Sequence, residues 1–356
     1  MTTPELDMAK VEEFAGRLMG AFNGAGQVVL ISIGHQTGLF DTLATLPPST
    51  SAQIAEATGL NERYVREWLD GMVVSRIVEY TPSSRTYALP PTHAALLTRA
   101  AGNHNLAGFA PMIPQFSTVE SAVIESFRNG GGVPYSAYPH FGELMAELSA
   151  PVVDATLVQS TLPLVPGLVD RLQTGIDVAD IGCGAGHAVN TMAKAFPSSR
   201  CTGFDFSEES IAMARAEAAQ LGLTNARFEV QDVAALDLEN AFDLITVFDA
   251  IHDQARPKTV LAAIHRALRP GGTYLMADIA ASSNVEENVD HPLGPMFYAI
   301  SLSHCMTVSL ALGGEGLGNM WGEQKALEYL AEAGFKDVSV KRVEGDIINN
   351  FYICSK

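Results

Sequence analysis

Residues 177–196 constrain this chain more than any other stretch. A strand over 177–181, Asp-Val-Ala-Asp-Ile, leads into Gly182, Gly184 and Gly186, and 186–196 then reads as a helix. Glycine permits the tight turn and lets a ligand approach the backbone with no Cβ in the way. The free amides of the following helix favour a carboxylate or phosphate at that point. Asp180 precedes the turn. Asp205 closes the next strand, 200–205, and lies 205 − 182 = 23 residues beyond Gly182. An acid in that place accepts hydrogen bonds from a ribose diol. The combination predicts a nucleoside-containing cofactor. The GxGxxG fingerprint of dinucleotide folds fits imperfectly, because its third position here is His187 and Gly186 comes one residue early.

The surrounding grammar is α/β. Strands are predicted at 177–181, 200–205, 226–231, 242–248 and 273–278, alternating with helices at 186–196, 207–221 and 259–268. Ser207 can cap its helix, with Glu208 and Glu209 at the positive end of the dipole. Such alternation implies a mostly parallel sheet with helices on both faces.

The first part of the chain reads differently. Residues 11–150 are mostly helical. Thr50 and Gln53 fit a capping box, Gly59 ends that helix, and Asn61 can cap the next, whose stripe is Tyr64, Val65, Trp68, Leu69 and Met72. A hairpin over 76–80 and 86–89 follows, completing the layout of a winged helix. Residues 129–134 read as a flexible glycine loop. Residues 143–172 read as helix broken near Pro151 and around Pro163 and Pro166. A boundary near residue 165 divides the chain into 1–165 and 166–356.

With 356 residues, 47% of them hydrophobic and 17% charged, the chain can fill two cores. Lys plus Arg total 22 and Asp plus Glu 40, a net −18 that repels phosphate backbones and argues against nucleic acid and anionic membrane as partners. The four cysteines form no CxxC pair, so neither a disulfide framework nor a zinc site is expected, and a cytoplasmic setting is the simplest reading. Residues 1–10 lack the basic-then-apolar run of a signal peptide. The longest apolar stretch, 296–312, contains His304 and is expected as a buried helix or pocket wall.

Five segments in order resemble the motifs of class I methyltransferases: 178–186, 203–207 (Gly203 to Ser207), 230–233, 242–248 and the Pro270-Gly271-Gly272 turn. The resemblance implies a seven-stranded, mostly parallel Rossmann-like sheet and S-adenosylmethionine as cofactor. It implies that the amides from Gly182 through Cys183 and Gly184 to Gly186 meet the methionine part, with Asp180 beneath them. Asp205 is then expected to hold the ribose, Phe206 to pack on adenine, Asp232 and the Val233 amide to meet the adenine edge, and Phe248 to lie near the sulfonium.

The step His252-Asp253 after the fourth strand is similar to that of small-molecule O-methyltransferases of the plant and hydroxyindole type, where the histidine is the general base. Those enzymes also carry an N-terminal winged helix used for dimerisation, and the overall layout resembles actinobacterial methyltransferases of similar length. The resemblance implies His252 as base, Asp253 as its partner, and a homodimer through residues 11–100. Gln254 stands where those families usually have Trp, and the insertion 282–321 departs from their pattern. That insertion carries Met296, Phe297, Tyr298 and His304 as expected substrate contacts, with a glycine-rich hinge at 313–318 for a lid. A small apolar or aromatic hydroxyl acceptor is the expectation, and no metal is expected, because Ile279 occupies the usual third-ligand position beside Asp249 and Asp278. N- or C-methylation without a histidine base is the alternative within enzymes. DNA binding is the alternative outside them, disfavoured by Glu62, Glu67 and Asp70 on the would-be recognition helix.

Overall fold

Apolar strands that alternate with amphipathic helices bury both faces only by forming one sheet with helices on either side. The computed structural model, which describes residues 6–344 and 346–356, has that arrangement in its second part. Of the ten N-terminal residues considered above, the first five lie outside the described residues. The chain forms two compact units, Met1–Gln115 and Phe116–Lys356.

The first unit begins with a 29-residue helix, Met8–Gln36, capped by Asp7. The capping box forms: Gln53 N–H donates to Thr50 Oγ1, and Thr50 N–H donates to Gln53 Oε1 at 2.9 Å. Gly59 closes that helix with φ +69°, and Asn61 caps Glu62–Val74. Strands β1 (Glu79–Thr81) and β2 (Thr86–Ala88) pair antiparallel as the wing. Phe40, Ile54, Trp68, Leu69 and Met72 form the core of this unit. Trp68 fills its end by donating its indole N–H to Leu30 O at 2.7 Å.

The second unit holds strands β3 (Asp177–Ile181), β4 (Arg200–Asp205), β5 (Ala226–Val230), β6 (Phe242–Phe248), β7 (Leu268–Ile279), β8 (Lys336–Lys341) and β9 (Asn349–Ser355). Their order is β5-β4-β3-β6-β7-β9-β8, and only β9 runs against its two neighbours. The order reverses at β3, so a crevice opens between the C-terminal ends of β3 and β6, where ligands of such sheets bind. The seven-stranded, mostly parallel sheet agrees with the sequence reading.

Two expectations are corrected. Residues 116–165 pack on the insertion: Val133 N–H donates to Thr307 Oγ1 at 2.9 Å, and Tyr138 Oη donates to Ser303 O. The glycine loop at 129–134 is pinned at its end by that first bond. Pro151 does not break its helix, which runs Phe141–Thr156 and loses regularity only at the π turn Leu157–Thr161. Proline removes one i→i−4 bond there without ending the helix.

No single helix among the described residues is long and apolar enough to cross a membrane. The bent pair 141–174, apolar by composition, supplies Leu157, Leu162, Leu168 and Leu172 to the core beside the sheet.

Candidate active site

The loop after β3 is built by close approach. Gly182, Gly184 and Gly186 have φ of +69°, +52° and +74°. A Cβ on Gly182 would stand 2.6 Å from Ala250 Cβ, and one on Gly186 2.5 Å from Ala214 Cβ and Phe228. Those two glycines let the loop nest between the turn after β6 on one side and the helix Glu208–Gln220 with β5 on the other. At Gly184 nothing lies within 4 Å, so that glycine faces open space and forms a cradle. Gly182 and Cys183 both donate their N–H to Phe204 O, at 2.8 and 3.0 Å, which ties the loop to β4.

Asp205 ends β4 beside this cradle. Its Oδ2 accepts the Gly184 N–H and its Oδ1 the Ser207 N–H, both at 2.9 Å. Burial raises its pKa against the pull of those amides. Phe206 is 57% exposed, so its ring is available for stacking rather than used in the core. Asp180 is buried under the loop, where its carboxylate accepts from Thr246 Oγ1 at 2.7 Å, and burial pushes it up to about 7. Asp232 lies at the end of β5, where it caps the turn Val233–Ala235 and pairs with Arg256 at 3.3 Å. Val233 is buried, and Phe248 is partly buried at the end of β6.

The segment after β6 turns sharply, with Asp249 at φ +51°. Asp249 keeps solvent-accessible surface, while its carboxylate accepts from Asn349 Nδ2 at 2.8 Å. His252 is fully enclosed. Its Nδ1 lies 2.8 Å from Asp278 Oδ1 at the end of β7, and its Nε2 lies 3.5 Å from Asp253 Oδ1. Cys305 of the insertion stands on the same side as Asp253, as a hydrogen-bonding neighbour of His252. Burial opposes a charge on His252, but Asp278 and Asp253 hold its pKa well above the usual value. Burial likewise pushes the Cys305 thiol up to about 12. Ligand-type atoms of His252, Asp253 and Cys305 come within 4.8 Å of one another. The Cys305 thiol is a hydrogen-bonding neighbour of both His252 and Asp253.

The insertion supplies a helical column, Gly294–Ile300 and Met306–Ala311, joined by the π turn Ser301–Cys305. His304, on that turn, is 2% exposed and stacks on Phe141 with centroids 4.0 Å apart. Tyr135, Tyr138 and Phe116 complete its surroundings. Of the other expected contacts, Phe297 is buried edge-on to His291, Met296 is half-buried, and Tyr298 is exposed beside Asn288. The glycine-rich segment is anchored: Glu315 N–H donates to Ala255 O at 3.1 Å, and Gly316 N–H donates to Ser309 Oγ at 3.1 Å. A Cβ on Gly314 would meet Ala255 at 2.5 Å. These glycines therefore serve close packing against the loop after β6.

Sequence reasoning missed Tyr135, Tyr138, Phe141 and Cys305 in the site, and gave Asp278 only as a metal-site alternative. The pairing of Tyr135 and Tyr138 with His304 spans about 165 residues, and no local pattern announces it.

The sheet order, the glycine loop and an acid at the end of β4 together define a class I methyltransferase fold, and the comparisons agree. Residues 172–334 match the family described as a methyltransferase domain, and 25–99 match the Rv2258c-like winged HTH domain. The chain thus pairs a segment matching a methyltransferase domain with one matching a winged HTH domain. A solved structure of a candidate O-methyltransferase from Nostoc punctiforme PCC 73102 superposes with a TM-score of 0.74 at 17% identity, covering 96% of this chain and 98% of the other. Human N-acetylserotonin methyltransferase, solved in complex with SAM, superposes at 0.70 with 19% identity over 100% and 99% of the chains. At these identities the likeness is one of fold. Among curated proteins, a ubiquinone biosynthesis O-methyltransferase of Methylococcus capsulatus is 30% identical over 109 residues, 30% of this chain and 45% of its own length. The chain spans half or less of the length of the curated relatives it matches.

Proposed function

We propose that this protein is an S-adenosylmethionine-dependent methyltransferase acting at a hydroxyl of a small apolar or aromatic acceptor. The observation that carries this reading is the open cradle at Gly184, with its amide on Asp205 and the exposed ring of Phe206 alongside, at the switch point of the sheet. The residues present fit the cofactor. The backbone from Gly182 to Gly186 suits its methionine part, and Asp205, whose oxygens each keep further acceptor capacity, suits the ribose. Phe206 suits one face of adenine, and Asp232 with the Val233 amide its edge. Phe248 stands at the end of β6 for the sulfonium. When bound, the cofactor supplies an electrophilic methyl group, and alignment and exclusion of water provide much of the rate. Met296, Phe297 and Tyr298 lie about two turns before His304 on the same helical column, and these four residues are the candidate acceptor contacts.

His252 can act as general base only if its Nε2 is freed from Asp253 and Cys305. With its pKa held well above 6.5, the rate would then climb on the alkaline side of neutrality. The winged helix supports assembly rather than DNA reading: Arg63 and Arg66 are paired with Glu67 and Glu62 of their own helix. Assembly also has a surface, because Phe14, Leu18 and Phe22 are exposed along the first helix. We infer a homodimer through that unit.

Calorimetric titration with S-adenosylhomocysteine tests the central reading. Micromolar binding that is lost in Asp205→Ala, with NAD silent, is the expected result. NAD binding, or no binding of S-adenosylhomocysteine, overturns it.

A further inference from the structure

His187 follows the last glycine of the loop after β3 and opens the helix His187–Ala195. A side chain stands here where the dinucleotide fingerprint has its third glycine. Its imidazole is held between two acids. Nδ1 lies 2.6 Å from Glu217 Oε1, and Nε2 lies 3.0 Å from Asp154 Oδ1. Glu217 belongs to Glu208–Gln220, the helix that starts beside Asp205 and Phe206, and its other oxygen accepts the Asn190 Nδ2–H at 2.7 Å. Asp154 belongs to Phe141–Thr156. One ring thus joins three helices of the second unit.

This arrangement calls for a cation. A neutral imidazole carries one N–H and one bare nitrogen, and an ionised carboxylate can only accept. Both contacts are hydrogen bonds only when both nitrogens are protonated. Burial opposes that charge, but the bonds to Glu217 and Asp154 outweigh it and hold the His187 pKa above the usual value. The π turn Leu157–Thr161, which packs on the same helix, carries no charged residue. Val189, Met192 and Ala193 of the helix join Cys201 and Phe228 of β4 and β5 in the core, where burial pushes the Cys201 thiol up to about 12.

The two arms are unequal. The Glu217 side chain is 30% exposed and braced by Asn190, whereas that of Asp154 is 65% exposed and its bond is longer. Loss of a proton leaves a bare Nε2 lone pair against the Asp154 carboxylate, so that arm is the one released. The release bears on the cradle. At its other end, the helix Phe141–Thr156 brings Gly142 against the first turn of Glu208–Gln220, where a Cβ would stand 3.4 Å from Ser210 Oγ. Phe141 meets Tyr135 there, and Tyr135 meets Phe206 edge-on at 5.4 Å. This helix therefore grips the loop's helix at one end and the Phe206 side of the cradle at the other.

We propose that His187 is a positioning residue for the cofactor: its two N–H groups clamp the helix after the glycine loop to Phe141–Thr156 and Glu208–Gln220, and the clamp opens when the ring loses a proton. This inference rests on the methyltransferase reading and adds a proton to its binding equilibrium. Linkage is reciprocal, so the factor by which the proton raises cofactor affinity is the factor by which cofactor raises the ring's proton affinity. Binding is tightest on the acid side and weakens as pH rises through the folded-state pKa of His187.

The test titrates full-length protein with S-adenosylhomocysteine by calorimetry between pH 6 and pH 9. Nitrogen-15 NMR follows the His187 ring, assigned through His187→Gln. Across that range the wild type should lose about fivefold more affinity than His187→Gln, a size suited to a partly exposed pair. The His187 pKa should rise on binding by the same factor. Asp154→Asn distinguishes the clamp from plain helix packing, because its amide can donate to the bare Nε2 and keep the arm closed without the extra proton. It should share the shallow profile of His187→Gln and bind more tightly than the wild type at pH 9. Should His187→Gln fail to fold, Asp154→Asn, altered at a mostly exposed side chain, serves as the reference. A neutral His187 ring at pH 7 overturns the proposal whether or not ligand is present. So does a ring pKa unmoved by ligand, a wild-type profile parallel to that of the reference variant, or an Asp154→Asn variant that binds no better than the wild type at pH 9. Failure of S-adenosylhomocysteine to bind any of these proteins at any pH sinks the methyltransferase reading instead, so the two failures are told apart.

Discussion

At the scale of residues, the site is governed by one imidazole shared among acids in a dry interior. His252 is 4% exposed and Asp278 is fully buried, so neither charge can be left alone without a large cost. Removing one partner of such a buried pair typically costs about 3–5 kcal/mol, and Asp278→Ala is expected to lose stability in that range by denaturant unfolding. The pH dependence has a definite sign. The folded-state pKa of His252 is raised, so its stabilising contribution is complete below the unfolded value of 6.5 and is lost as pH rises through the higher folded value. Asp278→Asn weakens that elevation. The stability gap between wild type and Asp278→Asn should therefore be widest at pH 6 and narrow toward pH 9. A gap that is flat or widens with pH would show that His252 is not held as a cation.

At the scale of elements, the glycines after β3 make separable contributions. Gly186→Ala places a Cβ against Ala214 and Phe228 and forces a left-handed backbone on a non-glycine residue, so a loss of roughly 2–4 kcal/mol is expected from strain plus overpacking. Gly184→Ala meets no atom and should cost about 1–2 kcal/mol from its backbone alone. It should nevertheless weaken S-adenosylhomocysteine binding, because its Cβ enters the cradle. Thermal unfolding beside calorimetry separates the two effects. Equal losses of stability in both variants would contradict this account. The contrast also marks what the chain reveals by itself. The turn, the caps at Thr50, Asn61 and Ser207, and the strand–helix alternation are local, so side-chain chemistry within a few residues dictates them. The pairing of His252 with Asp278, and the box that Tyr135, Tyr138 and Phe141 form around His304, are not local. They depend on how β6, β7 and the insertion are brought together, and a tyrosine in a proline-flanked loop carries no mark of its distant neighbour. For the same reason residues 116–165 read as helical like the first unit, and only their contacts group them with the second.

At the scale of the whole molecule, the chain carries a net −18 yet leaves an apolar surface uncovered on its first helix. Val11, Phe14, Leu18 and Phe22 recur at spacings of three and four on Met8–Gln36, with exposures of 41%, 52%, 43% and 67%. Helical spacing puts them on one face. A stable interface buries about 1,600 Å² in total, and a long helix paired with its equivalent supplies a large share of that, with the Arg17 guanidinium already packed over the Phe14 ring at 5.3 Å. In a symmetric dimer each stripe meets its own copy, so one substitution acts twice. Light scattering of the wild type at micromolar concentration should give twice 37.9 kDa. Phe14→Asp combined with Phe22→Asp should halve that mass, because both added charges would have to be buried or the contact opened. S-adenosylhomocysteine binding should be unchanged in the variant, since the cradle and Asp205 lie wholly within the second unit. A monomeric wild type contradicts dimerisation through this helix. So does a double variant that stays dimeric, because its interface then lies elsewhere.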